Sequence, residues 1–198
     1  KPEFGEQACG DIGEGRLAEP TSIALQIAGL FQNTKLAGKN VMITLGATIE
    51  AIDPVRFISN HSSGKMGMAL ASACAEAGAT VTLIIGAISV AVESRAKGIL
   101  VTSANEMLKA VNDNISEQDI FISCAAVADY RPTNIAKNKI KKDRETVSID
   151  LVRNPDILSN ICQMKDKPVC IGFAAETENL LENAKNKLKN KGCDAIIL

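Results

Sequence analysis

Histidine is almost absent from this sequence: His61 is the only one in 198 residues. A zinc centre or a Ser-His-Asp triad would have to be built around that single side chain, and its neighbours support neither. The six cysteines, at 9, 74, 124, 162, 170 and 193, include no C-x-x-C pair, and most lie in apolar runs. Reduced cysteine in such runs behaves as a small hydrophobe, which points to a reducing, cytoplasmic setting. No apolar run approaches the roughly 20 residues a membrane helix needs. The opening KPEFGEQACGDIGEGR lacks the charged-then-apolar order of a signal peptide. Charge of one sign is not in excess either. Twenty-two Lys and Arg against 23 Asp and Glu leave a net charge of -1, so no global field draws the chain to nucleic acid or to an anionic membrane. A small-molecule partner is the expectation. There is no internal repeat and no low-complexity tract.

With 46% of its residues hydrophobic, the chain can bury one substantial core. Residues 1–20 are rich in Gly and charge, 21–31 have helical spacing, and 33–40 read as a linker. From Val41 the elements alternate. VMITLG (41–46) is a buried strand, SGKMGMALASACAEAG a helix closed by Gly78, and TVTLIIG (80–86) the next strand. Ser103 opens a second helix through a capping box with Glu106, and the strand DIFISCAA follows at 119–126. This βαβαβ order predicts an α/β, Rossmann-like domain with a mostly parallel open sheet and flanking helices. IKKDRETVSIDLV alternates on both sides of 143–146, which predicts a hairpin or mobile flap inserted into that fold. Asn154 is expected to cap a helix whose first position is Pro155. The strand VCIGFAA, the helix TENLLENAKNKLKNKG and the strand CDAIIL complete the order. A strand of this class normally delivers a functional loop at its carboxyl end, so a chain that stops on CDAIIL reads as truncated there.

In a doubly wound sheet, ligands sit beyond the carboxyl ends of the strands, where helix N-termini offer free N–H groups to phosphate. The long loop GATIEAIDPVRFISNHSSGKMG after the first strand is the expected site. Ser62, Ser63 and Gly64, which open its helix, let a phosphate approach the backbone. Two familiar phosphate motifs nonetheless fail. Walker A would need Gly where Ser59 stands and Ser or Thr where Met66 stands, and the dinucleotide fingerprint would need Gly in place of Ser62. The pattern alone therefore gives an anion site at a helix start, or a structural turn of the same composition.

Five ordered blocks carry more information. DPVRFISNHSSGKMG (53–67), CAAVADYRP (124–132), KIKK (139–142), NPDIL (154–158) and GFAAET (172–177) together resemble phosphopantothenate-cysteine ligase, in that family's order and from about Asn40 onward. ACGDIGEGRLAEP (8–20) resembles the end of the flavin-dependent phosphopantothenoylcysteine decarboxylase that bacteria commonly fuse ahead of the ligase. The resemblance divides the chain into a decarboxylase tail and linker, 1–39, and a ligase domain, 40–198. It implies an enzyme of coenzyme A biosynthesis that joins 4'-phosphopantothenate to L-cysteine. CTP and Mg²⁺ would drive the reaction through an acyl cytidylate, with release of pyrophosphate and CMP. FMN would serve only the decarboxylase, whose flavin-binding body is missing here. A homo-oligomer, a dimer of ligase domains, is implied as well.

Carried onto the matching positions, the resemblance assigns Arg56 and Asn60 to the acyl intermediate. An amide can orient an activated carbonyl and donate to developing negative charge, although both residue types also tie loop backbones together. Lys139 is implied as a flap lysine that swings over the triphosphate; a solvated surface lysine would look the same. Asp129, Lys139 and Phe173 are implied nucleotide contacts, as are Ser123, Cys124 and Ala125 at the end of the third strand. Asp156, Ile157, Leu158 and Ser159 at the later helix join them, beside Ser62 and Gly64 at the first. Lys187 and Lys191 continue the line of Leu180 and Ala184 beside the buried stripe, unlike Lys185 and Lys189. That suits phosphate and equally suits snorkelling lysines. Cys9 matches the decarboxylase's proton donor, and His61 reads as a hydrogen-bonding loop residue. Two rival readings stay on the table. An NAD(P)-dependent reductase would need a glycine-rich first turn and a ribose selector after the second strand, where Gly86 and Ala87 offer neither. A non-catalytic nucleotide-binding module is the other.

Overall fold

An unbroken apolar run is what a strand requires when both of its faces are covered, and VMITL forms such a strand near the middle of a six-stranded sheet. In the computed structural model, which describes residues 3–6, 9–30, 34–141, 145–174 and 179–198, the elements follow one another in this order. β1 (Glu3–Glu6) and β2 (Ile12–Arg16) pair as an antiparallel ribbon, and α1 (Pro20–Leu30) follows. β3 (Asn40–Leu45) leads into a second ribbon, β4 (Ile49–Ala51) with β5 (Phe57–Ser59), and then into α2 (Lys65–Glu76). Next come β6 (Thr80–Ile85), β7 (Lys97–Leu100), α3 (Ala104–Asn114) and β8 (Ile120–Ser123). β9 (Tyr130–Pro132) pairs antiparallel with β10 (Leu151–Arg153). α4 (Ile157–Cys162), β11 (Val169–Phe173), α5 (Leu180–Lys191) and β12 (Ala195–Ile197) complete the chain.

The main sheet has the order β12-β11-β8-β3-β6-β7, and every pairing in it is parallel. The chain passes from β3 to β6 on one side and later returns to β8 on the other. The strand order therefore reverses at β3 and β8, which is where an open α/β sheet leaves a crevice beyond its carboxyl ends. Period-two alternation sends Val41, Ile43 and Leu45 to the face covered by Met68 and Ala71 of α2. Met42, Ile84 and Phe121 face the opposite way, against Met107 and Val111 of α3 and Ile157, Leu158 and Ile161 of α4. Each fully buried aliphatic or aromatic side chain there contributes about 1.5–3 kcal/mol. α2 seats directly on β3 because Gly67 has no side chain: a Cβ there would overlap that of Leu45. Cys162 and Cys193 pack with their sulfurs 3.7 Å apart, and burial pushes their thiols up to about 11 and about 12, so they serve as inert packing groups. No helix among the described residues is long and apolar enough to cross a membrane.

The predicted fold class and the five helices agree with this architecture, and several details differ: residues 1–20 and the long loop after β3, read without strands, hold the ribbons β1–β2 and β4–β5. β7 was not expected: KGIL is a short edge strand with exposed residues on both faces, so it carries no alternation to read. The antiparallel ribbon exists, but its arms are β9 and β10, joined at one end by the Thr133 amide donating to the Asp150 carbonyl at 2.9 Å. Residues 133–141 and 145–150 contain no strand, and 142–144, which include the first half of the expected turn, lie outside the described residues, as do 175–178. Pairing with β9, which lies against β4, outweighs local alternation. Finally, Asp156 rather than Asn154 caps α4, its Oδ1 accepting from the Ser159 amide at 3.0 Å. Asn154 is buried and occupied elsewhere: its Nδ2 donates to the Ala128 carbonyl at 2.8 Å and its Oδ1 accepts from Arg131 at 3.0 Å.

Candidate functional site

The start of α2 is shaped for an anion. Gly64 precedes it at φ 76°, in the left-handed region, and turns the loop so that the helix begins beyond the end of β3. Ser62 Oγ accepts from the Gly64 amide and Ser63 Oγ from the Lys65 amide, each at 3.4 Å. The first amides of a helix have no intrahelical acceptor and carry the positive end of its dipole. They open here onto a cleft of about 390 Å³ lined by His61, Ser62, Ser63, Gly64, Lys65, Met66, Gly67 and Cys124. Cys124 reaches it from the end of β8, and burial pushes its thiol up. His61 lines the cleft and makes no side-chain hydrogen bond among the described residues, so it does not tie the loop as expected.

Asn60 leaves β5 immediately before this cleft, and its Nδ2 donates to the Val127 carbonyl at 3.1 Å, which ties the β5 end to the loop after β8. Arg56 sits at the other end of the same ribbon. Its Nε and Nη2 donate to Asp53 Oδ2 at 3.0 and 2.5 Å, and Nη2 also reaches the Ile140 carbonyl at 2.9 Å, while Nη1 has no partner among the described residues. Lys139, next to Ile140, is exposed.

The remaining expected residues lie at the ends of β8 and β11, at the start of α4 and on α5. Ser123 stands opposite Gly172 in the parallel pair. The Cys124 amide donates to the Thr44 carbonyl at 3.1 Å and the Ala125 amide to Thr44 Oγ1 at 3.4 Å, so those two donors are already engaged. The Asp129 carbonyl accepts from the Asn154 amide at 2.8 Å, which draws the β8–β9 loop toward α4. Lys187 Nζ donates to the carbonyl of Phe173, the last residue of β11, at 2.6 Å. One turn on, Lys191 Nζ lies 3.1 Å from Asp156 Oδ2. Burial pushes the Asp156 carboxyl up, but the Ser159 amide and the Lys191 ammonium outweigh it and hold the group below its ordinary range. α5 thus brings one half-buried cation, Lys187, to the end of β11 and another, Lys191, to the N-cap of α4, while Lys185 and Lys189 face out, as their spacing predicts. Ile157 and Leu158 are core residues through their side chains. Only their main chain is left for a ligand.

Cys9 is exposed in the turn between β1 and β2, where its Sγ lies 3.6 Å from Asp11 Oδ2, and it is not among the residues that line the cleft. Sequence reasoning missed the buried polar groups that hold these loops. Thr48 Oγ1 accepts from the Ala128 amide at 3.0 Å, and Glu50 Oε1 caps α3 by accepting from the Ala104 amide at 2.9 Å. Asp53 organises the β4–β5 turn. The last had a local signal, since D-P-V-R places Asp and Arg three apart around a turn residue. No three His, Cys, Asp or Glu side chains gather to hold a metal ion among the described residues.

Comparison with known proteins adds the following. Residues 36–198 match the model of the family described as DNA/pantothenate metabolism flavoprotein C-terminal domain. The chain is 50% identical over 197 residues to the coenzyme A biosynthesis bifunctional protein CoaBC of Haemophilus influenzae, covering 98% of this chain and 49% of that protein. It is 47% identical over 200 residues to the Escherichia coli K12 protein of the same name, again covering 98% and 49%. The chain therefore spans about half the length of the curated relatives it matches. Among solved structures, the C-terminal domain of a CoaBC protein superposes with a TM-score of 0.73 at 42% identity, covering 82% of this chain and 78% of that one.

Proposed function

The chain belongs to the family of DNA/pantothenate metabolism flavoprotein C-terminal domains, and on that premise we propose that it is a phosphopantothenate-cysteine ligase of coenzyme A biosynthesis. The carboxylate of 4'-phosphopantothenate attacks the α-phosphorus of CTP and pyrophosphate leaves. The amine of L-cysteine then attacks the acyl carbon of the resulting acyl cytidylate, and CMP leaves with both electrons of the broken acyl–oxygen bond. Carboxylate is a poor electrophile until its oxygen becomes part of a good leaving group, so the protein's task is positioning and charge neutralisation. The observation that carries this reading is an anion-ready helix start beyond β3 with an amide held beside it at Asn60; Lys187 at the end of β11 and Lys191 at the start of α4 are the cations within the same half of the sheet.

In this reading Asn60 orients the acyl carbonyl and donates to the charge that develops on it, and Arg56 offers Nη1 to another part of the acyl intermediate. Lys139, Lys187 and Lys191 neutralise phosphate. The cytosine is read by main chain: with the Cys124 and Ala125 amides engaged by Thr44, carbonyls of 123–125 accept from the exocyclic amine. Groups at 156–159 meet N3 and O2, Asp129 contacts the nucleotide, and Phe173 packs on it. Mg²⁺ would supply further charge neutralisation when it binds with the triphosphate, as no cluster of three His, Cys, Asp or Glu side chains stands ready to hold it among the described residues. Cys9 belongs, on the same proposal, to the tail of an FMN-dependent decarboxylase in the bifunctional protein, where its thiol is the proton donor. A dimer of ligase domains in the cytoplasm completes it.

Labelled carboxylate tests the pathway. If 4'-phosphopantothenate carries ¹⁸O in its carboxylate, an acyl cytidylate delivers one labelled oxygen to CMP. Unlabelled CMP, or label in orthophosphate, would overturn the reading.

A further inference from the structure

The turn between β4 and β5 is built around a carboxylate that the ligation chemistry does not call on. Asp53 is 3% exposed, and its two oxygens accept from five N–H groups. Oδ1 takes the amides of Val55 and Arg56, both at 2.8 Å. Oδ2 takes Arg56 Nε at 3.0 Å, Arg56 Nη2 at 2.5 Å and the Ile140 amide at 3.1 Å. The Ile140 carbonyl in turn accepts from Arg56 Nη2 at 2.9 Å. Both main-chain polar groups of Ile140 are thereby captured, one by Asp53 and the other through Arg56, across a separation of more than 80 residues in sequence. The Ala136 amide adds a third tie, to the Ile52 carbonyl at 3.0 Å. A surface segment that only needed to be solvated would satisfy these groups with water. Here a buried, charge-assisted hub holds them instead.

The residue fixed by this hub is the neighbour of Lys139, whose own side chain is exposed. We propose that Asp53 is a positioning residue, which acts through Arg56 and Ile140 to hold the backbone from which Lys139 presents its ammonium to the bound triphosphate. The role in turnover rests on the ligase reading above; the anchoring of Ile140 does not. It also gives Arg56 a second task, since the same guanidinium that offers Nη1 to substrate completes the hub with Nε and Nη2. A lysine on a four-carbon stem can reach many places, so fixing its Cα removes the largest part of that freedom. Misplacement by about 1 Å can cost on the order of 100-fold in rate.

Two readouts test the proposal. By amide hydrogen exchange without substrates, Asp53→Asn should speed exchange at Ile140 at least tenfold while leaving the amides of β3, β6 and β8 protected. By steady-state kinetics, Asp53→Asn should lower kcat/KM for CTP by about 100-fold. In the Lys139→Gln background it should lower it by far less, because the main group it positions is gone and only its hold on Arg56 remains. Unchanged exchange at Ile140, or losses from Asp53→Asn and Lys139→Gln that multiply, would overturn the assignment. Should Asp53→Asn also strip protection from β3 and β8, Arg56→Gln takes its place: it keeps the Asp53 bonds to the Val55, Arg56 and Ile140 amides and removes the two guanidinium bonds to Asp53 and the bridge to the Ile140 carbonyl. Exchange at Ile140 then decides by the same criterion, because Arg56 also faces substrate and its kinetics do not isolate the anchor. A wild-type protein with no CTP turnover would remove the ligase reading alone, and exchange at Ile140 would still support or overturn the anchor.

Discussion

Replacing Gly64 by alanine asks whether the start of α2 is as closely built as its place at the cleft requires. Two costs add. At φ 76° the backbone is left-handed, where a Cβ costs about 1–2 kcal/mol. The new Cβ would also stand 2.5 Å from Ile88 Cγ2 and 3.1 Å from Ile88 Cβ. Overpacking of that kind costs about 1–3 kcal/mol, and a β-branched neighbour has few rotamers into which to retreat. Gly192 supplies the control, since at φ 71° it meets nothing within 4 Å and carries the first cost without the second. In a chain of this size 1 kcal/mol moves Tm by about 2–4 °C, so Gly64→Ala should lower Tm by about 4–20 °C and Gly192→Ala by about 2–8 °C. Differential scanning calorimetry of the two variants side by side reads the difference. The KM for CTP should rise with Gly64→Ala and stay at the wild-type value with Gly192→Ala. Equal Tm values would refute the claim that Ile88 closes over Gly64. An unchanged KM in Gly64→Ala would remove that backbone from the anion site.

Asn60→Asp should stall the reaction after activation, because a carboxylate cannot donate to the acyl carbonyl and repels the phosphate; mass spectrometry should find acyl cytidylate accumulating, and product at the normal rate without it would refute the role. Lys139→Gln should leave Tm unchanged, since an exposed side chain buries little, yet slow turnover strongly by removing a cation. Unchanged kinetics would return it to the solvated surface. A third expectation concerns acid. The Arg56 guanidinium, with the Val55, Ile140 and Arg56 amides, holds the Asp53 carboxyl well below the usual carboxylate range against the upward push of burial. A folded-state value below the unfolded one, which is about 3.9, means the stabilisation is complete above that pH and is lost as pH falls toward the folded value. The urea midpoint of the wild type should therefore drop more steeply between pH 5 and pH 2.5 than that of Asp53→Asn, and parallel curves would contradict the hub.

What could be read in advance followed the range of the interactions involved. β3, β6, β8 and β11 announce themselves because burial on both faces leaves unbroken apolar runs, and the Ser103–Glu106 box is legible because it is local: Ser103 Oγ accepts from the Glu106 amide at 3.2 Å. Glu106 reaches back to the Thr102 amide rather than to that of Ser103, a shift of one residue that spacing does not reveal. N-P-D offers two cap residues two positions apart. The choice of Asp156 was made by Ala128 and Arg131, which claim Asn154 from more than 20 residues away. The arms of the β9–β10 ribbon were misplaced for the same reason, since the partner of β10 is set by where β9 lies. On α5, the half-buried placement of Lys187 and Lys191 followed from helical period alone. The engagement of Arg56 by Asp53 had a local signal that went unused, whereas its reach to Ile140 had none.

Pyrophosphate release by the purified protein, with 4'-phosphopantothenate and either CTP, UTP or ATP, tests the central claim most directly. With CTP and no cysteine, release should stop near one equivalent per site, as acyl cytidylate fills the enzyme; added L-cysteine should restore continuous turnover. A polar mismatch at the buried cytosine edge costs about 1–3 kcal/mol, so UTP should serve at least tenfold less efficiently, and the larger purine of ATP should meet a steric limit. Release that needs no 4'-phosphopantothenate, or orthophosphate in place of pyrophosphate, would contradict the account.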